Sequence, residues 1–98
     1  MTIFHITDIA GLCNIRQTGT LSPPSLADEG FVHCSTAEQL DGVVGRWFAD
    51  ASELVFLEIE ETRLTAELRW DEVYPGQRFP HLYGPLNFDA VTGAKVQL

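Results

Sequence analysis

The chain has 98 residues, 45% hydrophobic and 20% charged, with ten aromatics. Domains usually take roughly 100–200 residues, so a single domain over residues 1–98 is expected, and the apolar content excludes an intrinsically disordered chain. Six Lys and Arg against 14 Asp and Glu give a formal net charge of −8, which excludes general binding to long nucleic acid and to an anionic membrane surface.

Met1-Thr2-Ile3-Phe4-His5 has no basic start and no long apolar run, so no signal peptide is read there and a cytoplasmic location is expected. Ile3-Phe4-His5-Ile6-Thr7 predicts a strand from its β-branched and aromatic residues. Thr7-Asp8 marks a helix start, and Asp8 to Thr18 carries Ile9, Leu12 and Cys13 near helical spacing, with Gly19 placed as a C-terminal cap. Leu21 to Gly30 predicts a loop with one turn over Pro24–Ala27. Phe31 to Cys34 predicts a second short strand. Ser35-Thr36-Ala37-Glu38 matches a capping box with Ser35 as N-cap. Leu40, Val43, Val44, Trp47 and Phe48 then recur as one apolar helix face, interrupted by Gly42 and Gly45, which suggests close packing on a sheet.

Leu54-Val55-Phe56-Leu57 is the longest apolar run. It is far short of the ~20 residues a membrane helix needs and predicts a buried strand through Ile59. Glu60 to Thr65 predicts a turn of helix. Glu67 to Asp71 alternates as a half-exposed strand, and Tyr74-Pro75-Gly76-Gln77 reads as a turn. Phe79 to Leu86 reads as irregular and Pro-bounded, and Lys95 to Leu98 as a final strand. The order is that of an α+β domain with two main helices and a strand-rich second half.

All three histidines sit two residues before a hydroxyl: His5 and Thr7, His33 and Ser35, His81 and Tyr83. Residues two apart on a strand share a face, so neighbouring strands would gather these six into one polar cleft. Histidine suits proton transfer near neutral pH. His5, His33 and His81 are therefore the candidate catalytic groups, with Thr7, Ser35, Thr36, Arg78 and Tyr83 as candidate ligand contacts. The plainer reading of each pair is a satisfied polar residue at a strand end, with Ser35 and Thr7 as helix caps. The histidines lack the close spacing of a recognisable metal site, so no metal is assigned and a three-histidine metallohydrolase stays a third reading. Cys34 and Cys13 read as reduced core residues. The Asp71-Glu72 pair could bring a carboxylate near the histidines. Trp70, Tyr74, Phe79 and Tyr83 around Arg78 suit a nucleotide-like ligand.

The segments Phe4 to Thr7, Pro24 to Gln39 and Phe79 to Leu86 resemble a bacterial family catalogued as domain of unknown function 952. The resemblance covers essentially the whole chain. It implies the ADP-ribosyltransferase-like fold: a small, split, antiparallel-rich β-sheet with a cleft for NAD or an ADP-ribose-type group. It also implies that His5 orients the ligand, as the first-strand histidine of those enzymes does. The sequence departs from them in having His33 where a stacking tyrosine is expected. It departs again in the late motif, which offers His81 and Tyr83 but no glutamate. The expected function is an NAD- or ADP-ribose-type transferase with a histidine-lined cleft, NAD being a possible substrate. The alternative is a non-catalytic nucleotide or small-metabolite binding module.

Overall fold

The first strand sets the frame. In the computed structural model, which describes Met1–Leu98, β1 (Thr2–Thr7) runs antiparallel to β4 (Leu54–Glu60). β4 pairs on its other side with β8 (Val91–Gln97), giving the order β1-β4-β8. The final strand starts earlier than Lys95, the expected first residue. Leu54, Val55, Leu57 and Ile59 of the central strand are buried, as its near-continuous apolar run requires.

A second three-stranded sheet has the order β3-β6-β5, from β3 (Val32–His33), β5 (Glu67–Tyr74) and β6 (Gln77–Tyr83), again antiparallel. Here the sequence reading is corrected: Phe79 to Tyr83, expected to be irregular, belongs to the central strand. Proline is disfavoured in a central strand because it lacks an N–H. Pro80 escapes the penalty by its place. Its carbonyl accepts from the Cys34 N–H at 3.1 Å, so its missing N–H faces the point where two-residue β3 has ended. Phe4 and Ser35 exchange two backbone hydrogen bonds of 2.8 Å, which tie the two sheets together. A short pair, β2 (Thr20–Leu21) with β7 (Leu86–Asn87), closes the fold.

There are three helices, one more than expected. α1 (Ile9–Thr18) starts where the Asp8 carboxylate accepts from the Gly11 N–H at 2.8 Å. It ends at Gly19, whose φ of 84° is the left-handed cap. α1 buries Leu12 and Ile15 in the core. Cys13, expected to be buried, is exposed, because one residue beyond Leu12 turns it about 100° off the buried stripe. α2 (Pro24–Glu29) extends into a helix the single turn expected over Pro24–Ala27 within a loop. Pro24 has the φ of a first helical residue, and Gly30 at φ 90° closes the end.

α3 (Leu40–Trp47) follows a 3-10 turn over Ala37–Gln39. Its cap corrects the reading by one residue. The Thr36 hydroxyl accepts from the Gln39 N–H, and the Gln39 side chain accepts from the Thr36 N–H. Ser35 cannot serve, because its backbone is held as a strand against Phe4. The α+β class with antiparallel sheets is as expected, and no helix is long and apolar enough to cross a membrane.

Candidate functional site

The sheet register places two histidines face to face. His33 on β3 lies directly opposite His81 on β6, with ring centroids 5.5 Å apart. Phe31 covers both: it stacks on His81 at 4.0 Å and meets His33 edge-on at 4.9 Å. The third histidine comes from β1, carried in by the Phe4–Ser35 bridge. The His5 Nδ1–H donates to the His33 carbonyl at 2.7 Å, since a carbonyl can only accept.

Each ring has an oxygen partner on one nitrogen. His81 Nδ1 lies 2.8 Å from Asp71 Oδ2, and the Tyr83 hydroxyl donates to the same oxygen. His33 Nε2 pairs with Glu29. The register explains the Asp71 contact. Glu67, Arg69 and Asp71 face Tyr83, His81 and Phe79 across β5 and β6, so all six share one side of the sheet. Arg69 is bonded to Glu67 and lies 4.6 Å over the Tyr83 ring.

These contacts set the charges. The hydrogen bonds from Tyr83 and His81 hold the Asp71 carboxyl below its ordinary value, so it is ionised at neutral pH. The same carboxylate pushes the Tyr83 phenol up. Burial pushes the His5 pKa down, against the opposing pull of the His33 carbonyl, so His5 is neutral. Burial pushes the Cys34 thiol up to about 12, so it is a protonated wall residue and not a nucleophile.

The histidines form one side of a cleft of about 590 Å³. His5, His33, Ser35 and His81 all line it. Its other walls are the inner face of α3, with Val43, Trp47 and the following Phe48, and the tip of the β5–β6 hairpin, with Val73, Tyr74 and Phe79. The Arg46 guanidinium lies 4.4 Å over the Tyr74 ring and joins the two walls. No residue of α3 is buried, and Trp47 is 69% exposed. Gly42 and Gly45 face open space and not the sheet, which corrects the close packing suggested for them.

The other expected contacts lie off this cleft. Thr7 packs its hydroxyl where a Cβ on Gly11 would overlap it. Thr36 caps the turn into α3. Tyr83 stands behind His81, on Asp71. Arg78 is one residue from Phe79 and so points to the opposite side of β6, where it is exposed. Glu72 is taken up by the Gly76 N–H at 2.8 Å in the hairpin turn. Arg46 and Gln39 were missed by sequence reasoning, although both sit in or just before the recognised helix. The available signal was that an apolar helix face is a wall whose flanking polar residues become a rim.

Together these features define a small α+β protein with a histidine-floored, aromatic-walled cleft. The chain belongs to the family described as protein of unknown function DUF952, whose model matches residues 6–94. It is similar to protein CC0527 of Caulobacter crescentus. The crystal structure of that protein has 35% sequence identity and a TM-score of 0.84, over 98% of this chain and 85% of that one. The solution NMR structure has 32% identity and a TM-score of 0.81, over 96% and 82%. Among curated proteins none matches. No group of three His, Cys, Asp or Glu side chains is arranged to hold a metal ion.

Proposed function

We propose that the cleft binds a nucleotide-type ligand of the NAD or ADP-ribose class, and that His81, held by Asp71, accepts a proton from it or from its acceptor. The observation that carries this reading is the joining of three histidines and an aromatic wall in one cavity of about 590 Å³, within the usual range for small-molecule sites. Tyr74, Phe79 and Trp47 offer ring faces for a base or nicotinamide. Arg46 at the rim takes the phosphates, whereas Arg78, the expected ligand contact, is exposed on the opposite side of β6. His5 and His33 act as hydrogen-bonding groups, Ser35 as a polar contact, and Thr36 supports the α3 wall.

In a transfer reaction the hydroxyl of an acceptor attacks the ribose carbon that bears nicotinamide. A carbon–oxygen bond forms, the carbon–nitrogen bond breaks with its electron pair going to nicotinamide, and the hydroxyl proton passes to the free ring nitrogen of His81. The Asp71 carboxylate stabilises the imidazolium so formed. The ligand class follows the ADP-ribosyltransferase-like fold that the sequence resemblance implies. A specific observation favours the second reading, a non-catalytic binding module: Glu29 is the one carboxylate that lines the cleft and it is paired with His33, while Asp71 and Glu72 are held by His81 and the Gly76 N–H.

Calorimetric titration with NAD and ADP-ribose tests the ligand class. Saturable binding, weakened in His5→Ala and His81→Ala, is expected. No saturable signal from either compound at millimolar concentration overturns it. Chromatographic detection of nicotinamide released from NAD then assigns the transferase, and binding without release assigns the binding module.

A further inference from the structure

The hydrogen-bond state of the three rings specifies what the histidine floor will accept. His5 and His81 are 6% and 4% exposed. The Nδ1 of each faces an oxygen that can only accept, the His33 carbonyl and the ionised Asp71 carboxylate, so Nδ1 carries the proton. In the neutral ring the lone pair is then on Nε2. No protein atom partners either Nε2, and no fully buried side-chain nitrogen in the molecule lacks a partner. Both Nε2 atoms therefore reach open space, and the cleft is the space that both rings line. His33 repeats the pattern in reverse: Nε2 faces the Glu29 carboxylate, which leaves its lone pair on Nδ1.

With its rings neutral, the floor offers three nitrogen lone pairs, backed by two carboxylates. Beside them on the floor stands one side-chain hydroxyl, that of Ser35, itself 5% exposed, while the donors of Tyr74, Trp47 and Gln77 belong to the other walls. Gln39 adds one free N–H at most, because its amide oxygen is taken by the Thr36 N–H and one of its two N–H groups donates to the Arg78 carbonyl at 2.7 Å. Arg46, a strong donor, is on the other side of the cleft over Tyr74. An incoming carboxylate or phosphate would set its lone pairs against these lone pairs and lose its water without replacement, at a cost comparable to an unmade buried hydrogen bond.

We propose that the histidine floor takes a hydrogen-bond donor, an amide, amine or hydroxyl group on a planar-ring ligand, and refuses an anionic group there. The inference rests on the nucleotide-type reading and deepens it. The uncharged end of such a ligand enters first, its ring lies along the aromatic wall, and its phosphates stay at the rim with Arg46.

Nicotinamide and nicotinate are the matched probes, since they share a ring and differ in presenting an amide or a carboxylate. Titrated against the wild-type chain by NMR above neutral pH, nicotinamide is expected to bind about tenfold more tightly or better, with shifts at His5, His33 and His81. Equal affinity, tighter nicotinate binding or no nicotinamide binding overturns the inference. Long-range proton–nitrogen spectra of the ligand-free chain test the floor itself. They are expected to show the Nδ1–H tautomer for His5 and His81 and the Nε2–H tautomer for His33. An Nε2–H tautomer at His5 or His81 overturns the inference even if NAD binds. The correct tautomers with no binding of NAD or ADP-ribose would instead remove the nucleotide reading.

Discussion

α1 and α3 are two amphipathic helices with opposite fates. α1 turns its apolar stripe inward and buries Leu12 and Ile15 in the core. α3 has the more regular apolar face, yet none of its residues is buried; Val43, Trp47 and the following Phe48 of that face line the cleft, opposite the hairpin tip. A hydrophobic stripe therefore reports that a face must leave water, not what will cover it. Burial of α1 stabilises the fold. The incomplete burial of α3 leaves apolar surface that a ligand can cover, and two glycines facing open space weaken the helix further.

The largest effect that sharpens this contrast is on stability. Ile15→Ala should cost about 2–5 kcal/mol in denaturant unfolding, because Ile15 is fully buried. Val43→Ala should cost less than about 1 kcal/mol, as only part of that side chain leaves water. Equal losses would break the distinction. Next, Thr36→Ala should cost about 1 kcal/mol through loss of the cap. Gly42→Ala and Gly45→Ala should each stabilise by up to about 1 kcal/mol, since an added Cβ meets nothing. A loss of stability at either glycine would show α3 to be more tightly packed than the structure has it.

The floor of the cleft carries a pH signature. His5 has a folded pKa below its ordinary 6.5, so below that value the unfolded chain binds the proton more readily. The stability tied to neutral His5 is therefore present above pH 6.5 and is lost as pH falls from there toward the folded pKa. Denaturant midpoints between about pH 7 and about pH 5 should fall in the wild type and fall less in His5→Gln. Identical slopes would mean that His5 is not held neutral. The smallest effect is chemical. A thiol reagent should modify Cys13 in the native chain and leave Cys34, which is buried and has its thiol pushed up to about 12, untouched until unfolding.

Much of the sheet framework was legible, because β1 and β4 follow patterns that local chemistry imposes. α1 was legible from Asp8 and Gly19, which cap it as their types predict. β6 was not, because Pro80 argues against a central strand and only tertiary placement beside the end of β3 removes that objection. The same limit applied to Ser35: its side chain suits a cap, but long-range pairing with Phe4 fixes its backbone first. For the site, the shared faces of His33 with Ser35 and of His81 with Tyr83 followed from strand alternation. The partners of the rings did not. Asp71 reaches His81 only through the β5–β6 register, and Arg46 reaches Tyr74 only once α3 stands over the hairpin.

The most direct test of the cleft as a binding site is a titration of the chain with NAD, followed in amide proton–nitrogen correlation spectra. Saturable shifts are expected in α3, at His33 and His81, and at the hairpin tip around Tyr74, with α1 and β8 unmoved. No saturable shift at millimolar NAD, or shifts centred on α1 and β8, would contradict it.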